Sequence, residues 1–196
     1  MGSVVISGST SGAVTLAVPA EAGTRTITFP AATGTVLTSV TAGTILQVVS
    51  ATKTDTFSTT TVDSFVDITG MSVAITPSAT SSKILVLYDV QMSGSEIFFM
   101  QLVRASTAIK VGDSDSANRI ETTVGGTFQP SNNDKVIVIA GNFLDAPSTT
   151  DATTYKLQGR VYSASKSFSV NRTINDTNAT YAGRGASTIT VMEVAG

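Results

Sequence analysis

The sequence predicts an all-β protein, an antiparallel β-sandwich of jelly-roll type preceded by an N-terminal β-repeat arm. Three observations carry this expectation. Ten segments between residues 45 and 194 have strand length and β-forming composition, and several alternate apolar with polar residues. Clusters of Gly, Pro, Asn, Asp and Ser separate them, the residues that reverse a chain. No segment keeps a helical period between capping residues.

The arm comes first, over residues 1–40, and contains an eleven-residue repeat. Residues 15–24 (TLAVPAEAGT) align with residues 26–35 (TITFPAATGT), so that Leu16 matches Ile27, Val18 matches Phe29, Pro19 matches Pro30 and Gly23 matches Gly34. A weaker copy runs from Val4 to Val14, with Ile6 where Ala17 sits in the second. Each copy reads as a short alternating strand and a turn. Pro fixes φ and removes a ladder donor, and Gly permits the positive φ that reverses the chain. Leu16, Val18, Ile27 and Phe29 then share one face of a ribbon two strands wide, which is marginal alone. The segment therefore needs partners, either the body of the protein or equivalent arms of sister chains around a common axis.

The body, residues 41–196, is strand after strand. Strands are expected at 45–50, 64–69, 71–76, 83–92, 97–103, 107–111, 135–143, 154–162, 168–172 and 187–194. Residues 71–76 and 187–191 alternate cleanly, as half-buried antiparallel strands do. Turns are expected at Pro77-Ser78, Ser93-Gly94-Ser95, Gly112-Asp113, 130–134 and 145–148. Val124-Gly125-Gly126-Thr127 also reads as a turn, since it opens no helix and has no Lys behind it to make a phosphate loop.

Composition excludes several classes of function. The chain of 196 residues has no Cys, no His and no Trp, so it has neither an imidazole-assisted nucleophile nor a thiolate or imidazole metal site. Twelve Lys and Arg against fourteen Asp and Glu leave no basic surplus for a nucleic-acid backbone. Only 13% of residues are charged, while Ser and Thr supply more than a quarter. That balance raises the question of a membrane. The longest apolar runs, residues 84–88 and 136–140, are far shorter than the roughly 20 residues a spanning helix needs. The first residues lack the basic and apolar regions of a signal peptide, and Ile6 breaks the myristoylation pattern. Neither membrane insertion nor a cofactor is expected. A surface of hydroxyls and amides resists association less well than a charged one, which points to burial in an assembly.

What chemistry remains is carboxylate chemistry. Glu96, Glu121, Asp113 and Asp115 are the candidates for a general acid and base of glycan hydrolysis, but nothing in their spacing brings two together. Gly112–Asn118 alternates Asp like a calcium loop, then fails it, with Ala117 in place of a ligand and no closing Glu. An Asx-rich turn produces the same string. Three Asn-x-Thr triplets, at Asn171, Asn175 and Asn178, mark an exposed polar loop, where recognition residues tend to sit. Arg172, Tyr181 and Arg184 are its binding-competent side chains.

The run Ser9-Thr10-Ser11-Gly12-Ala13-Val14-Thr15-Leu16, continuing through Pro19-Ala20 and Thr26-Ile27-Thr28-Phe29-Pro30-Ala31 to Leu37, resembles a segment common in tail fibres and other virion proteins of tailed bacteriophages, especially marine and cyanobacterial ones. Residues 45–49, 77–84, 102–104, 145–157 and 185–193 are similar to stretches of phage structural β-domains. The resemblance implies a non-enzymatic structural component of the virion, usually a homotrimer, with an attachment region at residues 1–40 and a sandwich head at 41–196. It transfers no catalytic residue. It implies as partners sister chains, other virion proteins and a host-surface glycan. The chain is too short for a fibre shaft, so capsid decoration is the alternative to a tail fibre. A glycan depolymerase using a carboxylate pair is the alternative of another class.

Overall fold

The computed structural model describes residues 41–113, 118–126 and 134–196 with their side chains, and residues 3–7, 13–17 and 127 as backbone. The chain divides into two units, Met1–Thr38 and Ser39–Gly196. In the first unit, β1 (Ser3–Ser7) and β2 (Ala13–Ala17) form an antiparallel hairpin with Val4 opposite Leu16 and Ile6 opposite Val14. Its strands coincide with the first two copies of the repeat. Val18, Pro19, Gly23, Ile27, Phe29, Pro30 and Gly34 lie outside the described residues.

The second unit is a jelly roll. Its strands are β3 (Ile45–Lys53), β4 (Phe57–Thr59), β5 (Val66–Ile75), β6 (Lys83–Gly94), β7 (Ile97–Arg104), β8 (Thr107–Ile109), β9 (Val124–Thr127), β10 (Ile137–Asp145), β11 (Thr153–Val161), β12 (Phe168–Val170) and β13 (Ser187–Val194). The pairings β3·β13, β5·β11, β6·β10 and β7·β8 are nested, first strand with last, second with next to last, as in one long hairpin folded at β7–β8. Pairing of β13 with β6 and of β11 with β7 rolls that hairpin into two antiparallel sheets. The first sheet holds β3, β13, β6 and β10, and β4 and β12 extend its β3 and β13 positions. The second runs β5, β11, β7 and β8, with β9 also on β7. Rolling buries one face of each sheet against the other, which converts period-two patterning into a core.

Val86, Val90, Met92, Ile189 and Val191 from the first sheet meet Met71, Met100, Leu102 and Leu157 from the second, all fully buried. Two acids lie at the ends of strands. Asp145 accepts two bonds from Arg104 Nη1 at 2.9 Å and one from the Tyr155 hydroxyl at 2.6 Å, which ties the sheets together. Burial, with Asp145 alongside, pushes the Tyr155 hydroxyl pKa far up.

Glu193 is fully covered and accepts from the Ser78 N–H at 2.7 Å, the Ser78 hydroxyl at 2.6 Å and Gln47 Nε2 at 2.6 Å. Burial raises its pKa, but the bonds from Ser78, Gln47 and Ser82 outweigh it and hold the carboxyl down at about 2. A carboxyl depressed in the folded state stabilises fully above its unfolded pKa, and that stability is lost as pH falls through the folded one. Urea denaturation should therefore show Glu193's contribution intact above pH 4.5 and declining toward pH 2. Glu193→Gln should cost about 1.5–3 kcal/mol at pH 7, the worth of bonds to a charged group, and flatten that acid slope. An unchanged slope in the variant would assign it to other carboxyls.

Two expectations are corrected, and one strand was not expected. Val124–Thr127 is not a turn but strand β9, with Ile97 opposite Thr127 and Met100 opposite Val124. Its two glycines pass under the rings of Phe98 and Phe99, where a Cβ on Gly126 would lie 3.3 Å from the Phe98 ring. The strands expected at 64–69 and 71–76 are one strand, β5, carried through Gly70 at φ +82°. There Ile68 to Met71 stand opposite Leu157 alone, a bulge that glycine permits. Finally, β4 is a strand that alternation did not mark.

Candidate functional site

Two surfaces combine exposed aromatic, charged or apolar side chains, the loop between β12 and β13 and the outer face of the first sheet. The loop starts at Asn171, which is fully buried in the left-handed region at φ 61°, a conformation Asn tolerates better than most residues. Asn171 Nδ2 donates to the carbonyls of Lys53 and Asp55, and the Ser187 hydroxyl donates to Asn171 Oδ1 at 2.6 Å. Both ends of the loop are thereby fastened to the sheet.

Of the three residues expected to recognise a ligand here, Arg172 is spent inside the loop. Its Nε donates to the Thr173 carbonyl, its Nη2 to the Ile174 carbonyl, and Nη1 lies 3.5 Å from Asp176. Arg184 grips Asp176 through three bonds of 2.8–3.2 Å yet stays 62% exposed. Tyr181 is 64% exposed. Tyr181 and Arg184 share the wall of a shallow cleft of about 330 Å³ with Gln91, Asp134 and Val136. An exposed aromatic ring, an amide and a neutralised ion pair suit a neutral polar ligand such as a sugar. The structure thus brings Tyr181 and Arg184 together and assigns Arg172 to holding the loop's shape.

The outer face of the first sheet follows from strand register. Met192 stands opposite both Val48 and Leu85, and Leu85 opposite Leu144. Side chains opposite one another point to the same face, so Val48, Met192, Leu85 and Leu144 form one apolar row across four strands. Val48 is 54% and Leu144 49% exposed, and Ile45, Leu46, Ile137 and Val138 are exposed on the same two edge strands. The next row is Ser50, Thr190, Leu87 and Asn142, and the one beyond is Thr52, Thr188, Asp89 and Ala140. A depression of about 330 Å³ lies over these polar rows. Single exposed apolar residues are ordinary, whereas these stand side by side across four strands.

The candidate carboxylates lie elsewhere. Glu96 is 3.6 Å from Lys166, Asp115 lies outside the described residues, and the two buried acids, Asp145 and Glu193, are engaged by the bonds already given. Among the described residues no three acidic side chains converge as a metal site. No helix among them is long and apolar enough to cross a membrane.

No family model matches the chain, and no curated protein matches it. Among solved structures, that of infectious bursal disease virus, Gx strain, is similar at 19% identity and a TM-score of 0.38, covering 94% of this chain and 43% of the other. The VP2 subviral particle of infectious bursal disease virus is similar at 18% identity and a TM-score of 0.33, with coverage of 87% and 42%. The chain spans less than half the length of either. Similarity at this level identifies no function.

Proposed function

We propose that this protein is a non-enzymatic structural component of a virus particle, of the tailed-phage kind that its N-terminal segment resembles. It assembles as a homotrimer and displays the jelly roll outward. The observation that carries this reading is the apolar row Val48–Met192–Leu85–Leu144, which lies on a solvent-facing sheet of a protein with few charges. Burying such a row is worth about 25 cal/mol for each Å² of apolar surface removed from water. Residues 1–40 attach the chain to its sisters or to the particle, and the cleft beside Tyr181 and Arg184 offers a weak glycan site that three-fold display strengthens by effective concentration. The place in the particle is a tail fibre, with capsid decoration as the alternative.

Mass photometry of the full chain should give a trimer at micromolar concentration. Leu85→Lys with Leu144→Lys should shift it toward monomer while the melting curve stays cooperative. A wild-type monomer, or a trimer indifferent to both lysines, would overturn the assembly surface. Gold-labelled protein seen on the capsid rather than the tail by electron microscopy would select decoration.

A further inference from the structure

The outer face of the second sheet holds a cation that no described residue neutralises. Along β11, Tyr155, Leu157, Gly159 and Val161 face the core, and Lys156, Gln158 and Arg160 face outward. Lys156 has its counter-ion, Asp67, at 2.8 Å. Arg160 has neither an ion pair nor a hydrogen bond among the described residues. Its guanidinium carbon lies 5.7 Å from the Phe65 ring centre and 5.9 Å from that of Phe99, so two aromatic rings flank it. Its Nε is the one buried side-chain nitrogen or oxygen among the described residues without a partner. Nε is covered, and neither terminal nitrogen bonds to a described residue.

The neighbouring groups are also directional. Gln158 Nε2 donates to Asp67 Oδ1 at 2.6 Å, and Gln101 Nε2 donates to Gln158 Oε1 at 2.9 Å. This chain of amides leaves Gln101 Oε1 accepting from none of the described residues. It also leaves Asp67 committed to Lys156 and Gln158, away from Arg160. On the far side of Phe99, Gly125 is opposite it in β9, and a side chain there would begin 3.6 Å from the Phe99 ring.

We infer that Arg160, Phe65, Phe99 and Gln101 form a binding site for a carboxylated sugar, a uronate residue of an acidic glycan. The planar guanidinium fork matches a carboxylate bidentately, and its rigid spacing distinguishes it from a lysine. The part-exposed rings of Phe65 and Phe99 border the bound carboxylate and meet the pyranose at their edges, and Gln101 Oε1 accepts from a sugar hydroxyl. The site is distinct from the cleft at Tyr181.

The test is calorimetric titration of the full chain with trigalacturonate, its methyl ester and a sulfated neutral trisaccharide, repeated with Arg160→Lys and Arg160→Gln. Trigalacturonate should bind and the ester should not. Arg160→Gln should weaken binding at least tenfold and Arg160→Lys several-fold, with melting curves showing both variants folded. Equal binding by wild type and Arg160→Gln, no binding by wild type, or preference for the sulfated sugar would each overturn the site. A lowered melting temperature with unchanged trigalacturonate binding would mean that Arg160 serves packing only. Because a trisaccharide occupies single sites, the result stands apart from whether the protein forms trimers.

Discussion

Asp145→Ala should lower the free energy of unfolding by about 3 kcal/mol, at the lower end of the range for breaking a buried ion pair. Asp145 closes β10 in the first sheet, and both its partners lie in the second, where Arg104 and Tyr155 stand opposite each other on β7 and β11. Alanine there strands two groups of different exposure. The Tyr155 side chain is fully buried, so its hydroxyl loses its acceptor with no water to replace it. Arg104 keeps about a third of its side chain in solvent and rehydrates in part, which holds the loss to the low end of that range. For a protein of this size each kcal/mol moves the melting temperature by about 2–4 °C, so a drop of about 6–12 °C is expected by calorimetry. Tyr155→Phe alone should cost about 1–2 kcal/mol, because the carboxylate keeps its Arg104 bonds. The double variant should fall short of the sum, since the partners share one network. Strict additivity would mean that the carboxylate does not link the sheets.

The parts of this fold legible in the sequence are those governed by local patterning. Residues 187–194 form the strand expected of them because Ser187, Ile189 and Val191 alternate with Thr188, Thr190 and Met192. Strands that lack such a pattern escaped. β4 spans three residues and β9 has two glycines, and each exists because a neighbouring strand offers its ladder, at β12 and β7 respectively. Nested pairing was not legible either, because it is set by contacts distant in sequence.

The candidate surfaces divide the same way. A polar loop at 171–181 could be read from its Asn, Asp and Thr content, although Asn171 and Thr173 are buried and not exposed. That Arg172 turns inward to the Thr173 and Ile174 carbonyls depends on the left-handed turns at Asn171 and Asp176, which composition does not reveal. The apolar row did have a signal. Residues 84–88, ILVLY, are an uninterrupted apolar run within a strand, as expected when both faces are covered. In the monomer Val86 and Tyr88 are covered, while Leu85 and Leu87 look outward. The run is thus the sequence trace of the exposed apolar row. Arg160 had no signal at all, since its two rings come from β7 and from the segment before β5.

The second large effect concerns Phe168. It belongs to a strand of three residues, β12, whose ladder alone is too short to hold it, so its side chain carries the attachment. The ring is fully buried, stacks on Phe98 with centroids 5.5 Å apart, and meets the edge of Phe57 at 6.4 Å. It lies directly on Gly159 of the opposite sheet, where an added Cβ would come within 2.5 Å of ring carbon Cε1. Phe168→Ala removes this packing and leaves a void that the two strands flanking β12 cannot close, so a loss of about 3–5 kcal/mol is expected. Gly159→Ala should cost about 1–3 kcal/mol by overfilling the same space. Combined, the two changes should cost less than their sum, because the alanine methyl enters the void left by the ring. Guanidinium denaturation of the four proteins measures this coupling directly, and its sign is the decisive quantity. A cycle that closes additively would mean that the ring does not rest on Gly159. Full recovery is not expected, because one methyl replaces only a fraction of the phenyl ring, and because Phe57 and Phe98 lose the aromatic partner that joins them across the sandwich.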